Sequence, residues 1–290
     1  IKDVDKNCIL DGATVSLTLI VDVNGEPSEI SITNTAKLSA SHTPSEDWII
    51  DEEASSGAIQ VSNKTCTACG TVVDTKEEVA PLENPVYVGG EALQNAGDSV
   101  GGDSGTATLY IGQDGSPVLV LNNYMFTGAG YENTDDNYAG IYYGGSDTLY
   151  IFCGPNVGGR AASQNTITVT AGEAESRGIY VPNGTLHIGT TDNGTEDTLT
   201  VTAGTATKYS DGIYANQFKV QDVTIDLYTS TDVNSTGQYA LTSNCVINAN
   251  GGNTTGDGAS TSTGISCATL NVSGGTVTAN GGENAMGIGN

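Results

Sequence analysis

A short phrase of glycine, isoleucine and tyrosine recurs along the second half of the chain and constrains the fold more than any other feature. One copy has glutamine at the second position and the last two lack the tyrosine; the six copies are Gly140-Ile141-Tyr142, Gly178-Ile179-Tyr180, Gly212-Ile213-Tyr214, Gly237-Gln238-Tyr239, Gly264-Ile265 and Gly287-Ile288. Their spacings are 38, 34, 25, 27 and 23 residues, so the repeat shortens toward the C-terminus. A repeat of about 20 to 50 residues is typical of a solenoid, in which each unit forms one layer of a stack.

Two further runs recur between these phrases, and both alternate as β-strands do. One is a Leu-x-Ile or Leu-x-Val run, and the other is rich in Thr and Val; they occupy 149–151, 186–188 and 270–272, and 167–172, 199–204 and 276–279. The shortest unit, Gly264 to Met286, holds three such runs with turns between them. No helical apolar period is present to supply the crossover helix of a βαβ unit. The sequence therefore predicts an all-β chain dominated by a right-handed parallel β-helix, a solenoid whose corner glycines supply positive φ angles.

The charge balance excludes several classes of partner. The 290 residues carry 9 lysines and arginines against 34 aspartates and glutamates, which gives a net charge of −25. Nucleic acids and anionic membrane surfaces both require basic patches on the protein. No apolar stretch approaches the roughly 20 residues of a membrane helix. We therefore expect an extracellular or cell-surface protein with no nucleic acid partner and no membrane insertion.

The chain divides into three predicted domains. Residues 1–41 form a small β segment, because two alternating runs, Val15–Val23 and Glu29–Ile32, flank the hairpin turn signal Asn24-Gly25. Residues 42–81 form a short module around Cys66 and Cys69, and residues 82–290 form the β-helix.

Residues 42–81 contain an ordered set of features: His42-Thr-Pro44, Trp48-Ile49-Ile50-Asp51, Glu53-Ala54 and Cys66-Thr-Ala-Cys69-Gly70. In this order the module resembles a short repeated module of large cell-surface proteins of Gram-positive gut bacteria. Ser55-Ser56 stand where a cysteine often follows the alanine in that module. Residues 84–93, 107–111 and 118–123 are similar to the strands that lead into repetitive β-helix modules of the same proteins. The resemblance implies a β-helix fold and a surface location, and it implies no defined activity.

Tyr142, Tyr180 and Tyr214 are the candidate ligand-binding residues. If the isoleucine of each phrase points into the core, the adjacent tyrosine points outward, and layers about 4.8 Å apart bring successive rings together. Such a row can stack on the sugar rings of a glycan. Four more tyrosines are candidates to extend it: Tyr131, Tyr138, Tyr143 and Tyr150. The alternative is that the rings stack only on one another and stabilise the sheet.

The cysteines predict disulfides, with alternatives. Cys66 and Cys69 are expected to form a structural disulfide; the alternatives are free thiols or half of a zinc site, with His42 and carboxylates as further ligands. A bridge between Cys245 and Cys267 is also expected, and buried thiols are the alternative there.

Three acidic groups could bind calcium, although a solvated acidic surface is the favoured explanation: Asp135-Asp136, Asp192 with Glu196-Asp197, and Asp222 with Asp226. None has EF-hand spacing. A hydrolase needs two carboxylates about 5 to 10 Å apart. Asp222 and Asp226 are four positions apart on one predicted strand, which separates them by about 13 Å. No catalytic residue and no cofactor are predicted.

The sequence thus predicts a non-catalytic structural or adhesive surface protein, either a β-helix stalk or a self-assembling surface or filament subunit. A carbohydrate-binding module is the alternative, and a polysaccharide-active enzyme is a weaker one. Because the chain begins at Ile1 without methionine and reaches Asn290 just after a new phrase opens, we expect it to be a piece of a longer protein. The open end of a β-helix exposes strand edges, which predicts self-association or coverage there.

Overall fold

The computed structural model describes residues 14–23, 26–37, 42–133, 137–155, 160–170, 172–191, 196–255, 261–282 and 285–289, the first two ranges for their backbone only. Every regular element in these ranges is a β-strand, which confirms the all-β prediction. Within the same ranges, no helix is long and apolar enough to span a membrane. The chain forms two compact units, one of residues 1–56 and 60–77 and the other of residues 57–59 and 78–290.

The first unit contains a hairpin and a small sheet. β1 (Thr14–Val23) and β2 (Glu26–Lys37) pair antiparallel, as their alternating sequence predicts. β3 (Ile49–Ile50), β4 (Ile59–Thr65) and β5 (Val72–Val79) form a three-stranded sheet with β4 in the centre. Trp48, the single tryptophan, has the ammonium groups of Lys64 and Lys76 at 5.2 and 5.3 Å from its ring centroid.

The second unit contains the remaining strands. In chain order they are β6 (Val86–Val88), β7 (Glu91–Leu93), β8 (Ser99–Gly101), β9 (Ser104–Gly112), β10 (Pro117–Gly128), β11 (Tyr131–Asn133), β12 (Asn137–Tyr143), β13 (Thr148–Phe152), β14 (Gln164–Val169), β15 (Glu175–Thr191), β16 (Asp197–Thr202), β17 (Tyr209–Val220), β18 (Val223–Tyr228), β19 (Thr236–Thr242), β20 (Cys245–Asn250), β21 (Thr261–Val272), β22 (Thr276–Asn280) and β23 (Met286–Gly289).

Three ladders of parallel strands run through this unit. Ladder A joins β12 to the first halves of β15, β17 and β21 and then to β23. Ladder B joins the start of β10 to β13 and then to the second halves of β15, β17 and β21. Ladder C joins the end of β10 to β14, β16, β20 and β22. The chain passes through ladders B, C and A in turn, and we call each such set of three strand segments a layer. The first layer consists of the two ends of β10 together with β12, and the fifth consists of the second half of β21, β22 and β23.

The register of ladder A confirms five of the six phrases. Their isoleucines pair in succession: Ile141, Ile179, Ile213, Ile265 and Ile288. The prediction of a sixth phrase at Gly237-Gln238-Tyr239 is wrong, because these residues lie on β19, antiparallel to β18, in a hairpin inserted into the fourth layer. Gln238 supplies no apolar side chain for the core, and its amide donates a hydrogen bond to Asp226 instead.

The register of ladder C differs from the sequence repeat by two residues. Ile167 pairs with Val201, and Leu199 pairs with Asn165. Asn165 is buried, and its side chain bonds the backbone amide of Tyr124 and the carbonyl oxygens of Cys153 and Thr198. A shift of two residues keeps each side chain on its own face of the strand, so apolar alternation alone does not reveal it.

The glycine of the phrase is required for space. A Cβ on Gly178 would lie 2.0 Å from Val201 Cγ1 and 2.6 Å from the carbonyl oxygen of Gly212. The phrase glycines are absent from the described positions with positive φ, which include Gly130 and Gly275. In this phrase glycine therefore allows ladders A and C to approach closely. Gly275, in the Ser-Gly-Gly corner of the last unit, has the predicted positive φ, at +71°.

Antiparallel strands cover parts of the stack, so its sheets are mixed. β9 pairs with β10 and β6 pairs with β12, which covers the first layer. The β18–β19 hairpin pairs with β9 and β15. Its Ile225, Leu227 and Leu241 pack on the outward-facing Val118 and Phe152 of ladder B and form a second, smaller apolar core.

The last layer leaves apolar side chains exposed. Ile288 is 52% exposed and Met286 is 55% exposed, whereas Ile265, one layer earlier in ladder A, is fully buried. The inward face of the fifth layer therefore lacks a covering layer among the described residues.

Candidate functional site

The predicted tyrosine row is present on ladder A and is longer than the phrase indicates. Tyr142 lies 5.6 Å from Tyr180, and Tyr180 lies 5.3 Å from Tyr214, measured between ring centroids. Tyr131 stacks on Tyr142 at 5.0 Å, and Tyr87 stacks on Tyr131 at 3.7 Å. We call these five rings the tyrosine row. All five are half-buried, so the rings both stabilise one another and present surface.

Of the four additional candidates, Tyr131 contacts this row. Tyr143 points into the core, because it is the inward neighbour of Tyr142, and burial raises its pKa to about 12. Tyr150 belongs to ladder B and contacts His187 beside the second core. Tyr87 was missed in the sequence because it lies on the covering strand β6, outside the phrase; the alternation Val86-Tyr87-Val88 is the signal that identifies it.

A buried arginine lies beneath the end of the tyrosine row. The Arg177 guanidinium is 4.2 Å from the Tyr180 ring centroid and 4.8 Å from that of Tyr214. It forms ion pairs with Glu175 and with Asp211, whose Oδ2 is 3.5 Å from Arg177 Nε. Nε is buried without a hydrogen-bond partner among the described residues. Burial raises the pKa of Asp211, and hydrogen bonds from Thr263 and the Arg177 charge oppose that rise.

A pocket opens where the tyrosine row ends. Ser266 occupies the position in ladder A that follows Tyr214, and its small side chain leaves a cavity of about 330 Å³. Its lining is aromatic, charged and hydroxylic: Arg177, Tyr209, Asp211, Tyr214, Thr261 and Ser266. The loss of tyrosine at Ser266 thus ends the row and forms a cavity of the size that small ligands occupy.

The first unit contains a cluster of metal-ligating side chains. His42, Cys66 and Cys69 place one ring nitrogen and two sulfurs within 4.8 Å of one another. Cys69 Sγ is 3.5 Å from His42 Nδ1 and 3.3 Å from the Thr71 hydroxyl. Cys66 is buried, and the other two ligands are half-buried. The sequence named these three residues for a zinc site; the Cys66–Cys69 disulfide stays a prediction.

The remaining described cysteines are buried thiols in the second unit. Desolvation raises the pKa of Cys153, and it raises the pKa of Cys245 to about 12. Cys245 and Cys267 are separate thiols in the structure, and the bridge between them stays a prediction. A thiol with a raised pKa forms little thiolate near neutral pH, so these cysteines are poorly suited to act as nucleophiles.

Three of the acidic candidates for calcium, Asp197, Asp222 and Asp226, accept hydrogen bonds from protein donors; Glu196 is exposed, and the others lie outside the described residues. The oxygens of Asp197 accept hydrogen bonds from both terminal nitrogens of Arg160, at 2.7 and 2.5 Å, from the Ser163 amide at 2.6 Å and from the Thr190 hydroxyl. This fully buried carboxylate has no free lone pair directed at an ion. Asp197 is therefore part of a structural ion pair.

Asp222 and Asp226 likewise bond neighbouring side chains, Asp222 with Ser243 and Asp226 with Gln238. Hydrogen bonds from the Ser243 amide and hydroxyl lower the pKa of Asp222. The candidates at 135–136 and 192 lie outside the described residues.

Comparison with protein families, with curated proteins and with solved structures finds no match for this chain. The resemblance to surface modules of Gram-positive bacteria therefore stays a hypothesis that depends on the residues quoted above.

Proposed function

We propose that the chain is a non-catalytic structural and adhesive protein of the cell exterior, and that its second unit is a right-handed parallel β-helix. The single observation that carries this proposal is the set of three parallel ladders with fully buried apolar residues at matching positions. Such stacks gain stability from repeated burial and provide long regular surfaces. The acidic composition agrees with this role.

The fifth layer is the proposed site of self-association. Ile288, Met286 and Val272 are about half exposed and apolar. Among the described strands, β23 has a ladder with β21 on one edge and none on the other, and such an edge can accept a further strand. A second copy of this chain covers these groups by adding strands or by packing an apolar surface on them. The protein then functions as a self-assembling surface or filament subunit.

Light scattering after size exclusion, with electron microscopy of the same samples, tests this proposal. We expect the full chain to associate as its concentration rises, and we expect Ile288→Lys to prevent association. Val72→Lys is the matched control, because Val72 is equally exposed but belongs to the first unit. Monomers of the unmodified chain at every concentration would contradict self-association.

A carbohydrate-binding function is the second candidate, and the pocket at the end of the tyrosine row favours it. Aromatic faces stack on sugar rings, while Arg177 and Asp211 provide a donor and an acceptor for hydroxyl groups. A glycan array with the full chain tests this function. Binding should be lost in Tyr214→Ala and retained in Tyr87→Ala, which shortens the row at its other end. Equal loss in both variants would contradict binding in the pocket.

A further inference from the structure

We infer that His42, Cys66 and Cys69 bind a zinc ion in the first unit. This inference goes beyond the proposed structural role and does not depend on the second unit. Its basis is the proximity of the three ligand atoms, all within 4.8 Å of one another, with one pair at the spacing of a zinc tetrahedron.

The distances fit tetrahedral zinc. With Zn–S near 2.3 Å and Zn–N near 2.0 to 2.1 Å, a sulfur and a nitrogen at the tetrahedral angle are about 3.6 Å apart, and two sulfurs are about 3.8 Å apart. Cys69 Sγ and His42 Nδ1 are 3.5 Å apart. All three ligand atoms lie within 4.8 Å of one another. The Cys69–His42 distance matches a tetrahedral site, and the other two exceed the tetrahedral values by at most about 1 Å, which is within the reach of side-chain rotation.

The backbone builds this arrangement from two segments. Pro44 pairs with Cys66 in an antiparallel bridge, and the Thr67 amide donates to the carbonyl oxygen of Thr43 at 3.0 Å. These bonds hold the segment that begins at His42 beside the Cys66–Cys69 turn.

The turn itself is closed by backbone bonds and a glycine. The Gly70 amide donates to the carbonyl oxygen of Cys66 at 2.8 Å, and the Cys66 amide donates to that of Thr71 at 2.7 Å. Gly70 has a φ of +74°, which a side chain disfavours. The chain therefore reverses directly after the second cysteine, and both sulfurs stay on the side of His42.

The chemistry of the donors selects zinc among common divalent ions. Two thiolates and an imidazole are soft and borderline donors that suit zinc, whereas calcium and magnesium prefer oxygen. Binding releases the two thiol protons to solvent, and His42 binds as a neutral imidazole through its unprotonated Nδ1. The Thr71 hydroxyl then donates to the Cys69 thiolate across the 3.3 Å contact.

Three ligands come from the described residues, and a water molecule in the fourth position would complete the tetrahedron. Cys66 anchors the ion from the buried side, while His42 and Cys69 are half-buried and leave a side open to solvent. A disulfide between Cys66 and Cys69 requires no third ligand, whereas a zinc ion accounts for the position of His42.

Zinc titration of the full chain tests this inference. The reduced, metal-free protein receives Zn²⁺ with a chromophoric chelator as competitor, and elemental analysis gives the stoichiometry. We expect one zinc per chain. We expect Cys69→Ser and His42→Gln each to weaken binding about 100-fold or more, since even indirect partners of a ligand contribute 10- to 100-fold. Cys267→Ser, which removes a thiol of the second unit, should leave the affinity unchanged.

Two further readouts separate zinc from the alternatives. Co²⁺ in place of Zn²⁺ should give the thiolate charge-transfer absorption of a tetrahedral site, and Trp48 fluorescence should show that zinc raises the unfolding midpoint of the first unit. Less than one zinc per chain, or unchanged affinity in His42→Gln, would overturn the inference. So would a Cys66–Cys69 disulfide found by peptide mass spectrometry in protein isolated without reductant.

Discussion

The substitution Gly178→Ala tests the packing of the second unit most directly. The added methyl group would lie 2.0 Å from Val201 Cγ1 and 2.6 Å from the carbonyl oxygen of Gly212. The Val201 side chain belongs to ladder C, and the Gly212 oxygen belongs to the next strand of ladder A, so relief of one contact tightens the other. No rotation of a side chain removes the contact with the backbone oxygen.

The expected cost follows from these two contacts. Overpacking a well-filled core costs typically about 1–3 kcal/mol, and the backbone contact places this site at the upper end, near 3 kcal/mol. At a urea slope of about 3 kcal/mol per M, the midpoint of unfolding falls by about 1 M. Tyrosine fluorescence follows the second unit, which contains all the tyrosines, and Trp48 fluorescence follows the first unit separately.

Gly237→Ala is the matched control. Its Cβ would meet only ordinary contacts, the nearest at 3.7 Å, so alanine should be neutral or should stabilise by about 0.5 kcal/mol through the unfolded chain. The sequence repeat treats the two glycines alike, whereas the structure distinguishes them. A loss below about 0.5 kcal/mol in Gly178→Ala, within the range of surface substitutions, would refute the argument from close approach.

Three further predictions use the same unfolding measurements. Ile213→Ala should cost about 2–5 kcal/mol, and Ile288→Ala, at the same ladder position but 52% exposed, about 0.5 kcal/mol or less; equal losses would contradict the burial gradient. Asp197→Asn should cost about 3 kcal/mol, the lower end for a broken buried ion pair, because Asp197 is fully buried whereas the Arg160 side chain that loses its carboxylate partner is 11% exposed. A combined change of both residues that costs as much as the sum of the two would contradict their coupling. Burial and Asp103 raise the pKa of Tyr124 to about 12, above the value of about 10 in the unfolded chain. The contribution of Tyr124 to stability is therefore fully present below about pH 10 and is lost as pH rises toward 12. Phenolate absorbance and urea midpoints will follow this loss, and a Tyr124→Phe variant with the same alkaline loss would contradict the prediction.

The sequence predicted those parts of the fold that repeat as apolar alternation. Ladder A is recognisable because isoleucine at a fixed place in the phrase leaves one face buried in every layer. The inserted hairpin was missed because Gly237-Gln238-Tyr239 copies the phrase while lacking its apolar residue. The two-residue register shift in ladder C was missed because Asn165, a polar residue with its hydrogen bonds satisfied, occupies the core position that pairs with Leu199. Apolar alternation does not reveal a polar residue at a core position.

The candidate sites combine residues from distant segments of the chain. The sequence predicts the residues that recur with the phrase, but it does not predict which distant residues come into contact. The row from Tyr142 to Tyr214 follows from the period of the phrase alone. Arg177 beneath that row could not be identified from its own strand, because only Glu175 and Tyr180 are local partners, whereas Asp211 and Tyr214 come from the next layer. The sequence names His42 only as a candidate; its position beside Cys69 depends on a bridge between residues 44 and 66.

The β18–β19 hairpin has a consequence for how the second unit holds together. In a simple stack each layer touches only its neighbours, so unfolding can begin at one end and proceed layer by layer. Here the hairpin leaves the fourth layer, pairs through β18 with β9 before the first layer, and pairs through β19 with β15 in the third. Cooperativity therefore extends across the first four layers, and only the fifth can fray alone. During synthesis, the pairing of Ile111 in β9 with Tyr228 in β18 can form only after β18 has been synthesised. The second unit therefore completes folding only after most of its chain has emerged.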